Sequence, residues 1–319
     1  MKKILYIFCC VALLALFFTH PATVALGCSA GLTLWYTAVL PSLLPFLIVS
    51  GLLVGTGFFR YLNRFYVPPL SRLFGVSQEG CYAVLMGFLC GFPMGAKVTA
   101  DLVREGHISA EEGNYLLSFC NNVSPAFLLN YICLAKLGYP TVPWPLIGVF
   151  YAVPLLYGLF TRPLWHFQRE NRRTAKQASL RRIDFPMLDA CIMDSFSTVT
   201  RLGGYIILFS ILTKLSTLLP LGSSAGVWIG ALLEISGGID GIISAATGLP
   251  SVLRTSLVCA CAAFGGLSIC AQTQSVIADT PLRLRSYLAG RFAVTLLTLL
   301  FLLFLLLLPS AAPALRGCW

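Results

Sequence analysis

Four hydrophobic segments of this chain are interrupted near their centres by glycine, proline or polar residues. Two interruptions lie in the first half, at residues 87–97 and 121–125, and two in the second half, at residues 234–240 and 264–268. A helix broken within a bilayer leaves backbone N–H and C=O groups unpaired, which costs several kcal/mol for each group in lipid. Such a break is tolerated where protein covers it or where it lines a polar cavity. Paired breaks in two halves of a chain therefore predict the binding site of a transporter.

The composition is typical of a membrane protein. Hydrophobic residues make up 57% of the 319 residues and charged residues only 11%, whereas soluble domains carry about 25% charged residues. The net charge of +10 is what basic cytoplasmic loops of a membrane protein produce, so we expect the lipid bilayer as a partner and no nucleic acid. Much of the excess lies in a basic connector at residues 162–184, which can also contact anionic lipids.

The sequence offers no catalytic or metal-binding motif. The twelve cysteines form no Cys-x-x-Cys pair, and the three histidines, His20, His107 and His166, complete no zinc-binding spacing. No Ser-His-Asp arrangement, catalytic pair of carboxylates or phosphate-binding loop is evident. We therefore expect no enzyme activity, no metal site and no cofactor, apart from a coupling Na⁺ or H⁺.

The lengths of the apolar segments predict the organisation of the chain, since a spanning helix needs about 20 residues. The expected units are an N-terminal transmembrane helix (1–20), a first repeat (23–161), the cytoplasmic connector (162–184), a second repeat (185–277) and a C-terminal transmembrane helix (286–309). Cleavage of the N-terminal helix as a signal peptide is left open, with an uncleaved helix favoured. Residues 23–40 are compatible with an interfacial helix that precedes a separate span at residues 43–59.

Charge asymmetry predicts that the first interrupted segment turns back within the membrane. Basic residues after the second span and in the connector must both be cytoplasmic. This requires residues 81–98 to form a re-entrant hairpin and residues 115–137 a broken helix. The second half opens with a mixed segment at residues 185–200 and a span at residues 202–219. It then follows the same logic, with a hairpin at residues 227–246 and a broken helix at residues 252–277. The expected fold is an all-α polytopic membrane protein with an inverted-topology repeat, two re-entrant helical hairpins and two broken helices.

Polar side chains at the first two breaks are candidates for substrate binding. The N-terminal ends of half-helices suit an anionic group, and Lys97 follows the first break. An ammonium group inside a membrane is a functional hypothesis by default, although Lys97 can instead reach the cytoplasmic edge near Asp101. Asn121, Asn122 and Ser124 lie together in an apolar segment, where they can bind a polar ligand or form interhelical hydrogen bonds.

The second half offers acidic and hydroxyl side chains. Glu234 and Asp240 are candidates for ion coupling, because a carboxylate in an apolar run can hold Na⁺ or H⁺ or pair with a cation such as Lys97. Ser236 and Ser268 are further candidates for contact with the substrate. A structural role is expected for break residues that permit turns, close backbone approach or the loss of a helical hydrogen bond. These are Gly91, Pro93, Gly95, Pro125, Gly237, Gly238, Gly265 and Gly266.

Several of these runs resemble a known family. They are Leu40-Pro41-Ser42-Leu43-Leu44-Pro45-Phe46, Gly91-Phe92-Pro93-Met94-Gly95-Ala96-Lys97, Leu117-Ser118-Phe119-Cys120-Asn121-Asn122 and Phe264-Gly265-Gly266-Leu267. They are similar to runs of the YlbJ-like sporulation integral membrane proteins, which contain the Gate, or nucleoside-recognition, domain. The resemblance covers about residues 33–282, and the family resembles concentrative nucleoside transporters in its hairpins and broken helices.

The resemblance implies a small anionic substrate. The expected function is transport of dipicolinate, an aromatic dicarboxylate, from the mother cell towards the forespore by alternating access. The expected location is the cell membrane, as an integral protein of the outer forespore membrane. Two alternatives stay open: a cation-coupled nucleoside-type symporter on the same scaffold, and a membrane organiser of the spore envelope that transports nothing. A homo-oligomer is also left open, by analogy with nucleoside transporters.

Overall fold

The computed structural model describes residues 2–167, 184–219, 222–245 and 247–307. These residues contain helices and connections but no β-strand. Among them, five helices are long and apolar enough to cross a membrane: Pro21–Thr56, Trp144–Leu164, Phe185–Ser216, Leu253–Ile277 and Leu284–Leu305. The predicted all-α polytopic membrane fold is therefore confirmed. Most of the predicted connector at residues 162–184 lies outside the described residues, and so does the end of the predicted C-terminal helix.

The helices follow one another with short connections. In chain order they are α1 (Lys2–Thr19), α2 (Pro21–Leu34), α3 (Leu40–Thr56), α4 (Phe59–Phe74), α5 (Gln78–Leu89), α6 (Met94–Arg104), α7 (Ala110–Phe119), α8 (Trp144–Thr161), α9 (Phe185–Ser216), α10 (Gly222–Leu233), α11 (Ile235–Ala245), α12 (Ser251–Phe264), α13 (Gly266–Ile277) and α14 (Leu284–Leu307). Two π-helical segments, Trp35–Val39 and Phe127–Lys136, join α2 to α3 and follow the break after α7.

Two predicted boundaries are absent because helices continue through them. The proposed interfacial helix and the span after it form one helical stretch, Pro21–Thr56. The π-helical segment widens the backbone just before Pro41, where the proline lacks an N–H group. Likewise, α9 runs without interruption through residues 185–216, where sequence analysis expected a mixed segment and then a span.

The first predicted hairpin is formed by α5 and α6. Gly87 on α5 and Gly95 on α6 face each other, and both contact the Cys120 carbonyl oxygen of the second break. A Cβ atom would lie 1.7 Å from this oxygen at Gly87 and 2.3 Å from it at Gly95. Both distances are far inside van der Waals contact, so the arms can close around the second break only with glycine at these positions.

The second predicted hairpin is formed by α10 and α11. Gly238 on α11 faces Ala231 on α10, and Gly241 faces Val227, as expected for antiparallel arms. The interruption is shorter than predicted: only Glu234 separates the two helices, and residues 235–240 are helical. Of the two glycines that sequence analysis assigned to the break, Gly238 instead allows the two arms to pack closely, and Gly237 faces Thr213 of α9.

The long helices surround these broken elements. Helix α2 packs along α9, where Gly27 and Gly31 bring the two backbones together at Ile211 and Ile207. Helix α14 packs against α7, α8 and α12, and Gly290 contacts the Ser118 carbonyl. Small residues at helix contacts are the usual means of close packing in membranes. The breaks therefore lie in the interior of the helix assembly.

Candidate functional site

All four breaks line a single cavity of about 470 Å³, called here the central cavity. Binding sites for small molecules usually measure about 300–1,000 Å³. The α2–α3 stretch, residues 126–131 after the second break and Ile206 of α9 complete its wall. The lining residues at or beside the breaks are Cys90, Phe92, Val123, Ser124, Glu234, Ile235, Ser236, Ser268, Ile269 and Gln272. The breaks thus converge, which is the arrangement that the sequence pattern predicts for a transporter.

The first two breaks hold each other in place. Asn121 is fully buried, and its Oδ1 accepts a hydrogen bond from the Ala96 N–H in the first turn of α6 over 3.3 Å. Its Nδ2 donates to Thr273 Oγ1 on α13 over 3.2 Å. Gly91 has a φ of 83° and packs so closely on the Ser124 backbone that a Cβ atom would lie 2.5 Å from its nitrogen. Asn121 therefore supports the wall of the central cavity without lining it.

Three predicted substrate residues, all serines, line the central cavity. Ser124 Oγ accepts a hydrogen bond from the Phe127 N–H over 3.2 Å, and Ser268 Oγ accepts one from Gln272 Nε2 over 3.1 Å. A hydroxyl that accepts in this way can also donate, so both residues can donate to a ligand. Ser236 instead donates from its hydroxyl to a neighbouring carboxylate, described next.

Glu234 is the one charged side chain among the residues described as lining the central cavity. Its Oε1 accepts hydrogen bonds from the Ser236 N–H and hydroxyl over 3.1 and 2.8 Å, and its Oε2 accepts from the Gly237 N–H over 2.8 Å. The carboxylate therefore occupies the N-terminal end of α11, where the helix dipole favours negative charge. In the described part of the chain, no group of three or more His, Cys, Asp or Glu side chains is arranged so that it could hold a metal ion.

The fourth break leaves a helix end without a side-chain cap. Gly265 and Gly266 have φ values of 81° and 80°, which turn the chain between α12 and α13. No side chain caps α13 with a hydrogen bond. Because Ser268 and Ile269 of the first turn line the central cavity, this end supplies positive dipole and backbone N–H groups beside it.

Lys97 lies away from the central cavity. Its ammonium group contacts Asp101 Oδ1 and Asp194 Oδ2, each over 2.9 Å. It lines a second, charged cavity between α6, α9 and the end of α13. The alternative position near Asp101 is thus the observed one, and the suggested pairing of Lys97 with Glu234 is not found.

Asp240 also lies outside the central cavity. Its carboxylate pairs with Lys136 and accepts a hydrogen bond from the Tyr131 hydroxyl over 3.4 Å. The Asp240 side chain is 51% exposed. These contacts join α11 to the π-helical segment after the second break, so Asp240 connects two elements of the cavity wall.

Arg291 is the site residue that sequence analysis missed. It is 1% exposed in α14, and its guanidinium donates to Asn122 Oδ1 over 2.9 Å and to the Ala263 carbonyl over 3.2 Å. The same group lies 5.7 Å from the centre of the Phe92 ring, within the range of a cation–π contact. It thus contacts the first two breaks and the residue just before the fourth. The available signal was an arginine within the apolar run of α14, because intramembrane arginines are rare and functional.

Comparison with known proteins supports the family resemblance. The chain is 28% identical over 307 residues to the sporulation integral membrane protein YlbJ of Bacillus subtilis (strain 168), an alignment that covers 86% of this chain and 75% of YlbJ. No family model matches the chain, and no solved structure matches it. The predicted resemblance to the YlbJ-like sporulation integral membrane proteins is therefore confirmed over most of the chain.

Proposed function

We propose that this protein is a transporter whose central cavity binds a small anionic aromatic solute, with dipicolinate as the specific candidate. One observation carries the proposal: all four helix breaks line the same cavity of about 470 Å³. Broken helices around an internal polar cavity are the arrangement by which secondary transporters bind solutes at membrane depth.

The lining of the central cavity fits a planar solute with polar edges. Phe92, Phe127 and Tyr131 provide aromatic surface, and the Phe127 and Tyr131 rings stack with their centres 4.7 Å apart. The uncapped start of α13 offers N–H donors to a carboxylate. The hydroxyls of Ser124 and Ser268 can add donors on neighbouring sides of the cavity.

Glu234 provides the link to a coupling ion. Its carboxylate lines the same cavity, so it repels an anionic solute while it is charged. Binding of Na⁺ or H⁺ at Glu234 removes this repulsion. A cation and the anionic solute would therefore bind together, which is the requirement for symport. The α5–α6 and α10–α11 hairpins, which meet at the central cavity, are the elements we expect to move during alternating access.

The biological setting is proposed from the relative. The name of YlbJ, a sporulation integral membrane protein, supports a membrane role in sporulation. Within that role we propose transport from the mother cell towards the forespore and a location in the outer forespore membrane. No enzymatic step forms part of this proposal.

A nucleoside-type symporter is the second candidate, and the charge of the cavity favours it. Among the described lining residues Glu234 carries the only formal charge, and none is a lysine or an arginine. Neutral amides at Asn130 and Gln272 suit the hydrogen-bonding edges of an uncharged solute. A nucleoside needs no compensating positive charge, whereas dipicolinate depends on helix ends and on a bound cation.

Uptake into proteoliposomes tests the proposal. Purified protein is reconstituted, and uptake of labelled dipicolinate and uridine is measured with and without an inward Na⁺ or H⁺ gradient. The proposal expects gradient-dependent uptake of dipicolinate that falls in Ser268→Ala but not in Ser29→Ala, a change at an exposed serine of α2. Uptake of uridine alone supports the nucleoside alternative. If folded protein takes up neither solute, the chain is not a transporter of these compounds, and a role in organising the spore envelope becomes the better account.

A further inference from the structure

The second cavity, called here the charged cavity, has a volume of about 440 Å³. It lies between α6, α9 and the end of α13. Its charged lining residues are Lys97, Arg104, Asp194, Arg201 and Asp279. Three cations and two carboxylates thus face one space, in contrast to the central cavity with its single carboxylate.

The two cavities lie end to end along the same helices. On α9, Leu202 lines the charged cavity and Ile206 lines the central cavity. On α13, Val276 lines the charged cavity and Gln272 lines the central cavity. Residues four apart lie on one face of a helix and about 6 Å apart along its axis. About one helical turn therefore separates the cavities on both walls.

Two ion pairs beside the charged cavity join the first hairpin to α9 and to the segment after α13. Lys97 of α6 contacts Asp194 of α9 over 2.9 Å. Arg104 of α6 binds Asp279 with two hydrogen bonds of 3.0 and 2.7 Å. Asp101, on α6 itself, also accepts hydrogen bonds from Lys97 and Arg104. The pairs to Asp194 and Asp279 therefore hold the first hairpin to α9 and to the segment after α13.

Arg201 is the cation without a matching anion. It is exposed on α9 and has no ion pair or hydrogen bond with the residues that the structure describes. It lines the charged cavity together with Lys97 and Arg104. A guanidinium group suits a planar carboxylate, which it can bind with two parallel hydrogen bonds. The cavity thus presents one unpaired cation and two cations whose partners can be exchanged.

We propose that the charged cavity is a second anion-binding site, which takes a small organic dicarboxylate on its path to or from the central cavity. One carboxylate pairs with Arg201, and the other replaces Asp194 or Asp279 at Lys97 or Arg104. This replacement breaks a contact that holds the first hairpin in place, so binding at the charged cavity favours movement of that hairpin. The choice of a dicarboxylate rests on the proposed function, whereas the binding of an anion rests on the cations alone.

Protection of engineered cysteines from a maleimide tests this site. Ser197→Cys reports on the charged cavity and Ser124→Cys on the central cavity, because each serine lines one of them. The protein is placed in phosphatidylcholine nanodiscs with dipicolinate as the probe, and the labelling of native cysteines is subtracted. We expect dipicolinate to slow labelling at position 197 several-fold. Arg201→Gln should raise the concentration needed for this effect about tenfold, the scale of one hydrogen bond between charged groups.

Matched controls separate this inference from the proposed function. Arg285→Gln removes another exposed arginine, which lines neither cavity, and should leave protection at position 197 unchanged. Benzoate, with one carboxylate, should protect less than dipicolinate. Protection at position 124 without protection at position 197 overturns the second site and leaves the transporter proposal intact. Protection at position 197 in a protein that transports neither dipicolinate nor uridine supports the anion site while the transporter proposal fails.

Anionic lipid is the competing occupant of the charged cavity. If nanodiscs that contain phosphatidylglycerol slow labelling at position 197 without dipicolinate, and added dipicolinate has no further effect, the site binds a lipid headgroup and the proposal is overturned. If dipicolinate still protects in these nanodiscs, and does so at a higher concentration, the two anions compete for the same cations and the proposal stands.

Discussion

The Arg291 guanidinium and the side-chain oxygen of Asn122 are joined by a hydrogen bond of 2.9 Å across the interior of the protein. A second hydrogen bond ties the same guanidinium to the Ala263 carbonyl, just before the fourth break. Two of the three guanidinium nitrogens therefore have acceptors, whereas the buried Nε of Arg291 has no hydrogen-bond partner among the described residues. Arg291 thus supplies donors to two oxygens at broken helices and links α14 to the wall of the central cavity.

Arg291→Lys should reduce transport more than it reduces folding. Lysine keeps the positive charge, but its point-like ammonium group does not reproduce the planar fork that reaches two acceptors. We expect the uptake rate in proteoliposomes to fall at least about tenfold, which corresponds to about 1.4 kcal/mol. The protein should still elute as a monodisperse peak in size-exclusion chromatography. Arg285→Lys, at an exposed position near the start of α14, is the matched control.

The contact between Arg291 and Asn122 also predicts that their effects do not add. Asn122→Ala and Arg291→Lys remove the same hydrogen bond, so the double variant should lose little more activity than the more damaged single variant. The measurement is a double-mutant cycle on uptake rates. Fully additive losses would contradict a shared role at the second break.

Gly95→Ala should destabilise the first hairpin. The new methyl group would lie 2.3 Å from the Cys120 carbonyl oxygen, and overpacking of this kind costs about 1–3 kcal/mol. Thermal unfolding in detergent, followed by intrinsic fluorescence, should show a lower melting temperature. Gly148→Ala is the control, since no atom beyond the adjacent backbone of its own helix lies within 4 Å of a Cβ at this position of α8. An equal loss of stability in both variants would mean that the close contact between Gly95 and the Cys120 carbonyl does not determine the stability of the protein.

Glu234→Gln should uncouple uptake from the cation gradient. Glutamine loses the negative charge, and its amide nitrogen cannot accept the hydrogen bond that Glu234 Oε2 receives from the Gly237 N–H. We expect the remaining uptake to be the same with and without a Na⁺ or H⁺ gradient. Glu111→Gln, at an exposed glutamate in the first turn of α7, should keep the full gradient dependence. Retention of that dependence in Glu234→Gln would remove this residue from the coupling mechanism.

The pair of Arg104 and Asp279 should show a defined pH dependence. Hydrogen bonds from Arg104 lower the pKa of the Asp279 carboxyl below its usual value. A lowered pKa in the folded state means that the stabilisation is fully present above about pH 4 and is lost as the pH falls further. The difference in melting temperature between the wild type and Asp279→Asn should therefore be small and constant from pH 7 to pH 5, and should shrink below pH 4. The 67% exposure of the Asp279 side chain keeps the effect small.

Much of the architecture can be predicted from local sequence. Runs of apolar residues indicate the long helices, and the Gly-Phe-Pro, Asn-Asn and Gly-Gly sequences locate three of the breaks where the structure has them. The prediction was less accurate where a local signal has two structural uses. Gly237 and Gly238 can end a helix or let two helices approach, and here they lie within α11. The break lies at Glu234 instead, between α10 and α11. The Glu234 carboxylate accepts hydrogen bonds from the Ser236 and Gly237 N–H groups in the first turn of α11.

The sequence by itself determined the class of protein, the positions of most helices and the presence of paired breaks, because hydrophobic length and helix-breaking residues act locally. Only the tertiary structure decided that the breaks share the central cavity, that Lys97 lines the charged cavity, and that Arg291 supports the wall of the central cavity. These outcomes depend on contacts such as that of Asn122 with Arg291, 169 positions apart in the chain. Such contacts form only once the helices have packed together, because no local pattern specifies which buried oxygen will receive a given donor.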